Sequence, residues 1–303
     1  MIHLSFENIE NLKLSHYAAV EDYVKSLQPI EQDSLYTQIK PILNLTEEAR
    51  PLDDYMWLRN FILADVCALQ EWVNNKSAYL KFDLFKKLYK NKFAKDPDTY
   101  IDSAKTYNAY TLLSNMGIRV CPYCEDEYID IIHTEKGKRR TCDFDHFFPK
   151  GDDFYPALAM CFYNIIPSGK GCNQVMNTSS IEANPYHGDI ELWSRFESCI
   201  PIGANLESLS IDQFKIKLNI SGPMIQNNKT LAIEERYNHR PEEIKRYLLG
   251  AQNFSGSKIE EYLRLGLSKD WIESQKIQTL GNPYPHDRGR VLHQKLKFDL
   301  TGD

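Results

Sequence analysis

Four short clusters of chemistry-bearing residues fall within one stretch of this chain. They are Cys121-Pro-Tyr-Cys124, Asp143-Phe-Asp145-His146-Phe-Phe-Pro149-Lys150, Asn164-Ile-Ile-Pro167-Ser168 and Gly171-Cys172-Asn173. A cysteine pair at this spacing forms the knuckle half of a metal site. The local frame is legible as well: Tyr128-Ile-Asp-Ile-Ile-His133, a turn at Glu135-Lys-Gly137 and Arg139-Arg-Thr-Cys-Asp-Phe144 predict a hairpin that leads straight into Asp145-His146.

Helical sequence flanks this stretch. Tyr55, Leu58, Phe61, Ile62, Val66 and Leu69 recur at three- and four-residue spacing, and Asp53-Asp54 is placed to favour the helix start. Further helices are expected near 15–28, 77–93 and 102–116, the last ended by Gly117. Between Lys81 and Lys95, Phe82, Phe85, Leu88 and Tyr89 share one helical side and the lysines lie mostly elsewhere. That is the pattern of an amphipathic helix with a solvated face, and a nucleic-acid contact is the alternative. Beyond Pro185 a strand is predicted at 214–220 and helices near 241–250, 256–266 and 268–278. The expected fold is α+β and mainly helical, with a helical region over 1–116, a site-bearing core over 117–187 and a mixed α/β region over 188–303.

Composition narrows the function classes. No apolar run approaches the roughly 18 residues that span a bilayer, and Met1-Ile-His-Leu-Ser-Phe-Glu lacks the pattern of a signal peptide, so a cytoplasmic protein is expected. Seven cysteines, an odd number without a secretory signal, favour reduced thiols and metal binding over a disulfide framework. A net charge of −6 argues against blanket attraction to polyanions. Any such partner must be met by local basic surface, for which Lys136, Lys138, Arg139 and Arg140 are available, although a solvated hairpin tip would look the same.

An Asp-His pair followed by two asparagines can supply a general base, hard metal ligands and a positioning group, the parts of a phosphodiester hydrolysis site. Asp-His dipeptides and single asparagines are common as surface, turn or cap residues; the weight lies in their combination. With these residues the chain resembles the HNH endonucleases of the ββα-metal class, most specifically over 107–186. The resemblance implies a ββα-metal core inserted between the flanking regions. It implies that His146 is the general base, that Asp145 and Asn173 hold one divalent cation such as magnesium, and that Asn164 orients the His146 ring or its loop. Double-stranded DNA is then the expected substrate.

Many members of that family complete the zinc knuckle with a second Cys-x-x-Cys, where this chain has Gly169-Lys-Gly-Cys172. Cys121, Cys124 and Cys172 are the expected zinc ligands, with Cys142, Cys161 or His187 open as the fourth; a site without zinc, held by packing, is the alternative. The tail around Gly281-Asn-Pro-Tyr and His293–Leu300 is similar, more weakly, to bacterial HNH proteins that accompany ATPases in anti-phage defence systems such as Septu. That similarity implies an ATPase partner, and the large helical region would also suit self-association. RNA as substrate, or a binding module with a silent site, are the competing readings; altered Gly169 favours the silent module, and the intact Asp145, His146, Asn164 and Asn173 count against it.

Overall fold

The structure is a computed structural model that describes the chain apart from positions 2, 5–7, 52–53, 96–106, 136, 152, 177–178, 180, 202, 283–288 and 303. Asp53, Lys136, the start of the 102–116 helix and part of the tail motif lie outside the described residues. The fold is mixed α+β, dominated by helices, with three two-stranded antiparallel sheets among the described residues. The chain gathers into two compact units. The first comprises Ser5–Ile118 and Ile129–Lys170; the second comprises Met1–Leu4, Arg119–Tyr128 and Gly171–Asp303. The segment 117–187 contributes to both.

The first unit opens with α1 (Ile9–Lys25) and α2 (Pro29–Leu43). Helix α2 begins with a capping box between Gln28 and Glu31 and with Pro29 at its first position, and ends at Asn44 in the left-handed region. The apolar periodicity from Tyr55 to Leu69 is carried by two helices, α3 (Met56–Ile62) and α4 (Val66–Asn75). Asp65 causes the break: its carboxylate accepts from Ala68 N at 2.8 Å and caps a new helix. Phe61 and Trp72 nevertheless stack across that break at 5.3 Å.

Where one amphipathic helix was expected over 77–93, a 3-10 turn (Ser77–Lys81) leads into α5 (Leu84–Leu88) and a π-helical turn (Tyr89–Phe93). The wider π turn buries both Tyr89 and Phe93, while Lys81, Lys87, Lys90, Lys92 and Lys95 stay exposed. Helix α6 (Ala109–Met116) is capped by Asn108, whose side chain accepts from Tyr110 N and Thr111 N, and ends at Gly117 with φ +65°. Only the absence of a Cβ makes that left-handed turn inexpensive.

Strands β1 (Ile131–Thr134) and β2 (Gly137–Arg140) form the expected hairpin. Strand β3 (Cys142–His146) pairs with β4 (Ile165–Gly169) in the register Cys142↔Gly169 to His146↔Ile165. Strand β4 was not anticipated. All five of its residues are buried, so it shows no polar alternation, and Pro167 speaks against a strand interior. Helix α7 (Lys170–Met176) follows it without an intervening residue.

In the second unit, β5 (Ser194–Ser198) pairs with β6 (Ile216–Ile220), placing Phe196 opposite Leu218, both buried. Helices α8 (Met224–Leu231), α9 (Ile233–Asn238), α10 (Pro241–Asn253), α11 (Gly256–Arg264), α12 (Lys269–Leu280) and α13 (Gln294–Thr301) complete it. Helix α13 packs on β5 and on α10. Gly250 lets α10 approach α12 closely, since a Cβ there would stand 2.2 Å from Leu280 Cδ2.

Candidate functional site

Alternation along β3 decides where its side chains go. Cys142, Phe144 and His146 are buried, whereas Asp143 and Asp145 face the other way and are half-exposed. The Asp145 carboxylate and the His146 imidazole thus leave the strand in opposite directions, as adjacent strand residues must.

The His146 ring is held from three sides. Its Nε2 lies 3.0 Å from the Ala159 carbonyl oxygen. A carbonyl only accepts, so Nε2 carries the hydrogen and Nδ1 presents a lone pair. Lys150 Nζ donates to that lone pair at 3.0 Å. The Tyr89 ring meets the imidazole edge to face at 4.4 Å, while its hydroxyl donates to Phe144 O at 3.2 Å. Burial, reinforced by the Lys150 charge and opposed by the Ala159 bond, holds the imidazole well below its ordinary pKa. His146 is therefore neutral at physiological pH.

Asn164 fastens the loop that supplies those partners. It is fully buried; its Oδ1 accepts from Phe148 N at 2.7 Å, and its Nδ2 donates to Phe148 O at 3.1 Å and Leu158 O at 2.9 Å. Leu158 and Ala159 belong to one 3-10 turn (Pro156–Met160), so the amide that grips Leu158 also sets the carbonyl that fixes the imidazole tautomer. Asp145, His146 and Asn164 all stand in the first unit. Asn173 stands in the second, half-buried on α7 beside Cys172.

The second unit contains a metal-binding constellation of its own. Cys121, Cys124 and Cys172 are buried, with their sulfurs within 4.8 Å of one another, and can bind a metal such as zinc. Zinc–sulfur bonds of about 2.3 Å in a tetrahedron separate sulfurs by roughly 3.8 Å, so the spacing suits the ion. The local backbone is that of a knuckle. Glu125 N donates to Cys121 O at 2.9 Å, Glu125 takes φ +54°, and Asp126 N points at Cys124 Sγ at 3.4 Å. Tyr237 buttresses the turn by donating to Cys124 O at 2.8 Å.

Hydrogen bonding to Cys121 pushes the Cys124 thiol up to about 12, and bonds to Cys121 and Cys124 push Cys172 upward too, so the trio resists ionisation without a cation. Arg236 faces all three. Burial disfavours its charge, but attraction to Cys172, Cys124 and Cys121 prevails and raises its pKa. None of the proposed fourth ligands joins the cluster among the described residues. Cys161 instead donates to Phe61 O, His187 Nδ1 accepts from Asp189 N, and burial pushes the Cys142 thiol up to about 11.

On the hairpin, Lys138 is half-buried and Arg139 exposed. Arg140 is turned to other work: its guanidinium lies 5.0 Å from the Tyr110 ring centre and 5.7 Å from that of Phe144, and donates to Ala94 O. Sequence reasoning missed Lys150, Tyr89 and Ala159 as partners of His146. Only Lys150 left a trace, as the last residue of the Asp143–Lys150 cluster.

The chain matches no protein-family model, no curated protein and no solved structure. Among the described residues no helix is long and apolar enough to cross a membrane.

Proposed function

We propose that the chain is a metal-dependent endonuclease of the HNH kind that hydrolyses phosphodiester bonds in DNA, in bacterial defence against foreign DNA. The observation that carries this reading is the fixed tautomer of His146. A general base needs an unprotonated nitrogen held in place, and the Nε2–H bond to Ala159 leaves Nδ1 as that nitrogen. The chain order β3, β4, α7, with Asp145-His146 ending the first strand, Asn164 preceding the second and Asn173 on the helix, supports the same reading.

In the proposed reaction a water oxygen forms a bond to phosphorus as one of its protons passes to His146 Nδ1. The bond from phosphorus to the 3′ oxygen breaks, and that oxygen leaves with the electron pair and takes a proton from solvent. The products carry 5′-phosphate and 3′-hydroxyl ends. Asp145 offers a carboxylate oxygen and Asn173 an amide oxygen, hard donors of the kind that suit magnesium. A divalent cation held by such donors would supply charge stabilisation for the phosphate and the leaving oxygen. Asn164 acts through the loop, as a positioning residue. We assign zinc to Cys121, Cys124 and Cys172 as a structural ion, and Lys138 and Arg139 to phosphate contact.

Cleavage of labelled double-stranded DNA, single-stranded DNA and RNA by wild type and His146→Ala, with magnesium, manganese or chelator, tests the proposal. Metal-dependent cutting of DNA that disappears in the variant is expected. Undiminished cutting by His146→Ala would remove the imidazole from the mechanism, and preferential cutting of RNA would change the substrate.

A further inference from the structure

We infer that Lys150 holds the scissile phosphate, and that in the substrate-free chain its ammonium stoppers the lone pair of His146 that must receive the proton of water. The inference rests on the endonuclease reading and adds to it a residue and a resting state.

Three observations carry it. Nδ1 is the only ring nitrogen free to act as a base, and Lys150 Nζ occupies the hydrogen-bond position in front of it at 3.0 Å. An attacking water would have to stand in that same place, so base and ammonium cannot both keep their present partners during reaction. Second, the Lys150 charge is half-buried and attracted by Asp145 and Asp143, but without a carboxylate in contact. It lies 4.7 Å above the face of Tyr89, and no carboxylate among the described residues forms an ion pair with it. Burial outweighs that attraction and lowers its pKa. Third, the ring face beneath it is immobilised, because the Tyr89 hydroxyl is tied to Phe144 O.

A partly desolvated cation resting on a lone pair and an aromatic face is poised for an anion of matching reach. A phosphodiester oxygen forms a stronger, charge-assisted bond than an imidazole nitrogen. Moving the ammonium onto that oxygen opens the space a water needs between Nδ1 and phosphorus. Lys150 keeps all its protons throughout; the proton exchanged is the one passing from water to Nδ1.

The experiment uses the full chain labelled with 15N-histidine, the His146 ring resonances being assigned by their loss in His146→Ala. A short DNA duplex is titrated with no magnesium or manganese added and without chelator. In wild type the Nδ1 resonance should shift on binding while the Nε2–H signal persists. In Lys150→Met, Nδ1 should already show its unstoppered position without DNA. In steady-state cleavage Lys150→Met should lower kcat/KM by about 10- to 100-fold, the worth of a hydrogen bond to a charged group, and Lys150→Arg should recover part of that loss. A duplex that binds wild type without moving Nδ1 would overturn the inference. So would Lys150→Met with wild-type kcat/KM, in an enzyme that His146→Ala inactivates; only the Lys150 role then falls. Wild type that cuts no substrate with any metal would instead bring down the endonuclease reading and this inference with it.

Discussion

The His146 pocket and the cysteine cluster are both buried, polar and assembled from residues distant in sequence, yet they are satisfied in different ways. Around His146 every polar atom of the ring and of Asn164 has a partner within the first unit: Ala159, Lys150, Phe148 and Leu158. In the cluster at Cys121, Cys124 and Cys172, bonds to Cys121 push Cys124 and Cys172 upward, and the Arg236 guanidinium is attracted to all three. The first arrangement is complete as a set of hydrogen bonds and can be rigid without an ion. The second can bind a metal such as zinc, and an ion there would bring it to its ionised, ligating form and tie its stability to occupancy.

Removing the cation should therefore produce the largest effect. Stripping with a strong chelator, or Cys172→Ser, is expected to cost the second unit on the order of 5 kcal/mol, read as a fall in its unfolding midpoint that restored zinc reverses for wild type alone. Identical melts with and without zinc would end the comparison.

His146→Ala should act chiefly on the chemistry, lowering cleavage by about 10²- to 10⁴-fold, with a stability loss of about 1 kcal/mol, smaller than that of Asn164→Ala, for the Ala159 carbonyl it leaves unpaired. Between these extremes stands Asn164→Ala. It strands the amide and carbonyl of Phe148 and takes one of two donors from the carbonyl of Leu158, which keeps Cys161 N, for an expected loss of about 3 kcal/mol in urea unfolding. Cleavage and stability should fall together there, which neither His146→Ala nor Cys172→Ser would reproduce.

Acid provides a finer probe of the hydrogen-bonded unit. Fully buried His16 has both ring nitrogens engaged, with Tyr107 and Met160, and desolvation lowers its pKa to about 4 against an ordinary 6.5. Between those values the unfolded chain binds the proton and the folded chain does not. Stability is flat above pH 6.5 and falls as pH drops, by about 2 kcal/mol between pH 6.5 and 5. His146 works in the same direction. Urea melts across this range should be flatter for His16→Gln; an unchanged slope would mean that His16 already shares its proton in the folded state. The smallest effect expected is at the hairpin, where neutralising Lys138 and Arg139 together should reduce the salt slope of DNA binding by about 2.

What could be read from the sequence follows the same physical division. The β1–β2 hairpin was legible because turn residues separate two short runs of strand-forming residues, and α10 to α12 because helical periodicity is interrupted at Phe254–Ser255 and Leu267–Ser268. The cysteine trio was legible because ligand chemistry needs particular residue types at a fixed local spacing. Strand β4 was not, since burial of all five residues erases periodicity. Helix α2 was overlooked although Gln28, Pro29 and Glu31 announce its start. The partners of His146 had no sequence signature at all: Ala159 contributes only a backbone carbonyl, and Tyr89 arrives through a π turn that helical periodicity does not encode.

The route of the chain between the two units has a kinetic consequence. It leaves the second unit after Tyr128 and re-enters at Gly171, and the sulfur trio takes residues from both sides of that excursion. An ion joining Cys124 to Cys172 would close a ring of about 48 residues, a closure that costs the open chain about 4 kcal/mol in entropy. The ion can bind only when the two ends of the excursion have met, a late event for so distant a pair. Loaded and stripped chains should consequently refold at similar rates and unfold at very different ones, which makes the ion a latch on the lifetime of the folded state.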